Sequence, residues 1–231
     1  MKKLFTSLLI LMISFQNSFS QSFEISEIFN SSSVVTKKVL KKDFTEVAGS
    51  PYLDKNFNRG KIIFNNGKTY DVLTRLNVGT QKFEIKKNAN SQASLIEIDN
   101  SVKIEMNGNI YKSHKIKIDN EEIIAVLEDC IELDNISLYY FPRKVIKMPV
   151  VTGAVAPSSG SNKAQKPKWA EANEFLIYQD DKWHTVPTSF KKLVSKNIFD
   201  QKLLKKYKKS NKLNIKKKES LIELVSYFNS I

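Results

Sequence analysis

Cysteine is nearly missing from this chain. Cys130 stands alone among 231 residues, so no intramolecular disulfide can form and the core must supply the stability. Glu128, Asp129 and Glu132 surround it with carboxylates, which disfavours the thiolate and points to an inert strand cysteine. Glycine (7) and proline (6) are too scarce for a collagen-like or low-complexity chain. Histidine occurs only as His114 and His184, with no paired His or Cys at metal-ligand spacing, so no metal and no cofactor are expected. There is no Gly-x-Ser-x-Gly elbow, no phosphate-cradling glycine loop, no His-Glu-x-x-His and no dinucleotide fingerprint. Ser189 and Lys192 fit Ser-x-x-Lys, a spacing that a lysine-rich chain produces by chance, and the partner motifs are missing.

Long apolar runs are missing as well. The best one, Leu4 to Phe15, falls well short of the roughly 20 residues that span a bilayer as a helix. It follows Lys2 and Lys3 and precedes the small residues Ser18 and Ser20, the pattern of a secretory signal peptide over residues 1–20 with cleavage before Gln21. The expectation is an exported protein, periplasmic or extracellular, with no transmembrane segment once the signal is removed.

Arginine is the third scarcity. Arg59, Arg75 and Arg143 are the only three among 37 basic residues, which leaves 34 lysines against 24 acidic residues and a formal charge of +13. The excess is uneven. From Phe190 to Ile231 there are 12 lysines against Asp200, Glu219 and Glu223, a net of +9, whereas Gln21 to Ser189 nets only +2. A basic segment of this kind suits an anionic envelope surface or an acidic protein. Lysine lacks the bidentate fork that reads phosphates and base edges, which argues against nucleic acid. Lys205, Lys206, Lys208, Lys209, Lys216, Lys217 and Lys218 are the binding candidates of this region, and the competing reading is a solvated face without a role.

What the chain does contain is strand grammar. Lys61 to Phe64 runs into the turn Asn65-Asn66-Gly67 and then an alternating strand with Tyr70, Val72, Leu76 and Val78 on one face. Phe83 and Ile85 continue it as a three-strand meander. Val102 to Met106, the turn Asn107-Gly108-Asn109 and Ile110 to Ile118 make a second hairpin; Ile123–Leu127 and Ile131–Phe141 read as two further strands. These segments predict an α+β protein. Its core is mainly antiparallel β, as a sheet, sandwich or partly open barrel, followed by a short basic α-helical region.

The expected division is a signal peptide at 1–20, an N-terminal arm and β core at 21–148, and a flexible loop or linker at 149–170. A β-hairpin completing the core follows at 171–187, then lysine-rich amphipathic helices at 188–231.

Arg75 and Asn77 lie on the strand face opposite Tyr70, Val72 and Leu76. If that face is covered, Arg75 needs a partner such as Glu84 or Asp71; if open, the two form a polar binding site. His114 shares its strand face with Ile110, Ile116 and Ile118, the setting of a core or interface histidine. The acidic pairs Glu121-Glu122, Glu128-Asp129 and Asp180-Asp181 read as surface carboxylates at strand ends.

The series Gly49-Ser50-Pro51-Tyr52-Leu53, Phe57, Gly60, Gly67-Lys68-Thr69-Tyr70, Arg75-Leu76-Asn77 and Phe83-Glu84 resembles a family of exported, functionally uncharacterised proteins of Gram-negative bacteria. The ending Leu224-Val225-Ser226-Tyr227-Phe228-Asn229, behind lysine-rich helices, looks like the ending many of them share. The resemblance implies export and this architecture, and carries no activity. The functional expectation is an exported binding or structural protein of the bacterial envelope, more an interaction protein than an enzyme, with no catalytic residue assigned. The alternative is an envelope hydrolase with a carboxylate/histidine site on the β core.

Overall fold

A computed structural model describes residues 35–38, 47–118, 121–149 and 166–231. The expected signal peptide lies outside the described residues, as do most of the expected arm and loop.

The strands are β1 (Val35–Lys38), β2 (Asn58–Phe64), β3 (Thr69–Asn77), β4 (Lys82–Lys86), β5 (Ser94–Glu97), β6 (Val102–Met106), β7 (Asn109–Ile118) and β8 (Glu121–Glu132). They continue with β9 (Ile136–Phe141), β10 (Lys144–Lys147), β11 (Lys168–Glu171), β12 (Glu174–Gln179) and β13 (Lys182–Thr185). Three helices close the chain: α1 (Phe190–Ser195), α2 (Gln201–Asn211) and α3 (Lys218–Asn229). The protein is therefore mainly antiparallel β with a short helical C-terminal region.

Eleven strands form one sheet in the order β1-β5-β4-β3-β2-β6-β7-β8-β9-β12-β13, and β10 pairs only with β11 as a separate ribbon. Local chemistry sets the hairpins. Asn107 and Gly108 join β6 to β7 with φ of 54° and 77°, the doubly left-handed turn that matches strand twist. Asp180 and Asp181 do the same between β12 and β13 without a glycine, at 50° and 57°, with the Tyr178 hydroxyl donating to Asp181.

One face of the sheet changes its cover along its width. In β2 to β8 that face carries Ile62, Leu76, Phe83, Ile96, Ile104 and Tyr111, all buried. Strand residues and the adjoining Val78 and Ile98 make up this cluster, with no helical residue in it, so the strands bury it by curling over one another as a half-barrel. Farther along, the same face carries Ile136, Leu138 and Ile177, and there the three helices cover it with Leu193, Leu204, Leu221, Leu224 and Val225. The opposite face is then the inner one, holding Ile116, Leu127, Tyr139, Phe141 and Leu176, and β13 lies back against β7. β8 belongs to all of these layers, which is why it is the longest strand.

Gln81, in the turn between β3 and β4, closes the first curl. Its side-chain amide donates to the Val78 and Pro142 carbonyls at 2.9 and 3.0 Å and accepts from the Val126 N–H at 3.0 Å. The segment before β2 is bound down by Lys144, whose ammonium donates to the Ser50 and Tyr52 carbonyls.

Three expectations are corrected. Residues 168–170, read as part of a loop, lie in β11, because Trp169 pairs with Ile146 and fills space beside Gly49 and Gly79. The two strands read at Ile123–Leu127 and Ile131–Phe141 divide elsewhere, with β8 running unbroken to Glu132. A bulge between Asp129 and Ile131 lets it continue past Cys130. Lys144–Lys147, placed within the core segment, belongs to the ribbon and not to the main sheet.

Gly60 sits where β2 passes between β3 and β6. A Cβ there would lie 2.5 Å from the Glu105 carbonyl oxygen and 2.7 Å from Thr74 Cγ2. Gly60→Ala should therefore cost about 2 kcal/mol through forced backbone movement, read as a lower urea midpoint at unchanged slope.

Candidate functional site

Arg75 projects from β3 onto the outer face of the first half-barrel, where residues 51–57 cover it. Its Nε and Nη2 donate to Glu84 Oε2 at 3.0 and 2.7 Å, and Nη1 donates to the Lys55 carbonyl at 2.9 Å. The guanidinium lies 3.8 Å from the Tyr52 ring centroid and 4.4 Å from that of Phe57, so it is stacked between two aromatics. Tyr52 donates to the other Glu84 oxygen at 2.6 Å. All three guanidinium nitrogens and both carboxylate oxygens are thus engaged. Arg75 and Glu84 stand opposite one another in the β3–β4 register, which is why this pair forms rather than one with Asp71.

Asn77 is buried, and its Oδ1 accepts from the Gly79 and Thr80 N–H groups at 3.1 Å each. It holds the β3–β4 turn. The structure therefore places Arg75 and Asn77 in structural roles and leaves no open polar face between them.

The lysines divide into two groups. Along α2, Lys202, Lys205, Lys206 and Lys209 recur at i, i+3, i+4 and i+7, a solvent-facing stripe opposite the buried Leu204 and Tyr207. Lys208 is also exposed, with its ammonium 4.0 Å from the centre of the Phe190 ring, and Lys216 and Lys217 are exposed before α3. None of these takes part in an ion pair among the described residues. Like charges at these spacings each destabilise a helix by a few tenths of a kcal/mol (~0.2–0.5). Asp200 offsets part of this by capping α2, accepting from the Leu203 N–H at 2.8 Å.

Lys218 is different. It donates to Glu128 Oε1 and, at 3.3 Å, to Asn109 Oδ1, while the Tyr111 hydroxyl donates to Glu128 Oε2 at 3.1 Å. Burial pulls the Lys218 ammonium down in pKa, but the hydrogen bond and charge of Glu128 outweigh it and the net shift is upward. Its charge is spent inside the protein, and Lys218 is removed from the surface candidates.

The two histidines face opposite sides of the sheet. His184 sits across from Ile177 on the helix-covered side; burial, with Lys196 and Lys182 nearby, lowers its pKa. His114 lies on the other side within ring contacts of Tyr139 at 4.9 Å and Trp183 at 5.6 Å. Its Nε2 is 4.0 Å from Asp129 Oδ1, beyond hydrogen-bond reach, and neither atom has a hydrogen-bond partner. Lys112 bridges Asp129 and Glu132 at 2.7 and 2.8 Å, and the Tyr139 hydroxyl donates to Glu132 at 3.1 Å. No group of three metal-ligating side chains occurs among the described residues.

Cys130 Sγ has its pKa pushed up to about 12 by burial and then by the Glu128 charge, the reverse of a reactive thiol. Ser189 caps α1 by accepting from the Lys192 backbone N–H, a structural role for this serine.

Sequence reasoning missed Glu128, the Lys112–Asp129–Glu132 bridge and the stacking roles of Tyr52 and Phe57. Each depends on partners brought together by the register of the sheet or by segments packed over it.

No family model, no curated protein and no solved structure matches the chain.

Glu84→Gln keeps the shape but breaks the pairing charge beneath a stacked, partly exposed Arg75; a loss of about 2 kcal/mol is expected in urea unfolding. Tyr52 has its pKa raised to about 12, by burial first and then by the hydrogen bond and charge of Glu84. A raised acid favours the native state while it remains protonated. This contribution is complete below the unfolded tyrosine value near 10 and is lost as pH climbs through about 12. Tyr52→Phe should therefore flatten part of the alkaline fall in melting temperature between pH 10 and 12.

Proposed function

We propose that the protein is an exported binding or structural protein of the bacterial envelope, whose helical layer contacts an anionic surface or an acidic partner through lysine. The observation that carries this reading is the fully basic solvent stripe of α2. Four lysines lie along it with no acidic residue in the helix.

The helices do not behave as a detachable amphipathic tail. Their apolar faces are spent on the sheet, so the lysines are held on a fixed platform, and attraction is electrostatic rather than by insertion of an apolar face. Such contact is salt-sensitive and needs no bidentate chemistry, which suits lysine. The hydrolase reading has less behind it. His114 and Asp129 approach only to 4.0 Å, and His184 is on the other side of the sheet.

Deleting residues 188–231 would strip the cover from Ile136, Leu138 and Ile177, so neutralisation is the cleaner test. A variant with Lys202, Lys205, Lys206 and Lys209 each replaced by Gln should bind anionic phosphatidylglycerol vesicles about a thousandfold more weakly in sedimentation at low salt, at roughly 1 kcal/mol per lysine. Wild-type binding should itself fall steeply with added salt. Equal binding by the wild type and the variant, with the variant's melting temperature retained, overturns the reading.

A further inference from the structure

β6 and β7 separate after only three residue pairs, Met106↔Asn109 to Ile104↔Tyr111. On its other side β6 stays with β2 as far as Phe64↔Val102, and β7 stays with β8 as far as Ile118↔Glu121. The two strands therefore fork, and the fork falls where the sheet passes from its first half-barrel to its second. The wedge holds a cleft of about 440 Å³, within the range of small-ligand sites.

One lip comes from two turns and β6, with Asn65, Asp99, Asn100 and Lys103; the other comes from β7 and β8, with Lys112, His114 and Glu132. The lips are held in place. The Asn65 side-chain amide donates to the Asn100 carbonyl at 3.1 Å, and Asp99 accepts from both the N–H and the hydroxyl of Ser101. Lys112 is fixed between Asp129 and Glu132.

We propose that this cleft binds a neutral, polyhydroxylated ligand of sugar size. Two features of the lining select that chemistry. Val102 is the only aliphatic side chain in it, so an apolar ligand would gain little from burial. The Lys112 ammonium is already shared by Asp129 and Glu132, and Asp99 stands against Lys103, so the cleft has no surplus positive charge with which to hold an anion. What remains is a mixed set of donors and acceptors: two amides, two carboxylates, two ammoniums and a serine, beside the His114 ring.

Hydroxyl groups, which both donate and accept, satisfy such a mixed set where a purely anionic or cationic ligand cannot. His114 also lines the cleft, while its Nε2, shut off from solvent 4.0 Å from Asp129 Oδ1, is not a contact for a bound ligand. The site is separate from the lysine stripe of α2 and does not rest on it.

The test is titration of the full isotope-labelled protein, followed by amide and side-chain shifts, with glucose and cellobiose as neutral probes and galacturonate and inorganic phosphate as anionic ones. The expected result is saturable movement with a neutral probe, confined to residues 65, 99–103, 112–114 and 132. Asn100→Ala should weaken it at least tenfold; Asn100 is exposed, so its variant tests the contact without threatening the fold. No saturation with either neutral sugar up to about 100 mM, movement mapping elsewhere, tighter binding of an anionic probe at the cleft, or unchanged affinity in Asn100→Ala would each overturn the proposal.

Discussion

The buried carboxylate of Glu128 is the point on which the two halves of this protein meet. It projects from β8 onto the continuous face of the sheet, at the border between the cluster that the strands cover themselves and the cluster covered by the helices. Left alone there, a carboxylate would be strongly unfavourable. Tyr111, a member of the first cluster, supplies one hydrogen bond, and Lys218, the first residue of α3, supplies the balancing charge. The strand-built and helix-covered regions are thereby tied through a single side chain. A buried pair of this kind adds little net stability over apolar packing, yet breaking it is costly, so it specifies where α3 begins against the sheet.

From that constraint follows the character of the surface. Because α3 starts at the sheet, the apolar residues of all three helices are drawn onto β8, β9 and β12, and the remaining lysines of α2 have nowhere to point but outward. The same reversal of cover opens the wedge between β6 and β7. A strand pair cannot keep its register while one partner follows the first curl and the other the second. Surface charge and cleft are thus two outcomes of one sheet whose inside and outside exchange places.

Much of the β architecture was legible in the sequence because it is local. Asn-Gly turns demand left-handed backbone, and alternating residues such as Val102, Ile104 and Met106 mark a face without knowledge of the partner strand. The pairing of Arg75 with Glu84 could be anticipated as one of two choices, and cross-strand register decided it. What stayed hidden depends on distance along the chain. Tyr52 and Phe57 gave no sign that they would sandwich Arg75, since their segment has no periodicity. Lys218 looked like its neighbours Lys216 and Lys217, and only the placement of Glu128, 90 residues earlier, separates them. The unbroken run of β8 past Cys130 needs a bulge that composition does not announce, and β11 lies beside a stretch whose glycines, serines and prolines disguise it.

The helices are an integral layer of the sheet and not an appended basic tail. Native-state hydrogen exchange in rising denaturant measures this directly, by comparing the opening free energies of the α3 amides with those of β9 beneath it. The slowest amides of α3 and β9 should converge on one global opening. If α3 exchanges through a much lower-energy opening while β9 remains protected, the helices are a separable tail and not a layer of the sheet.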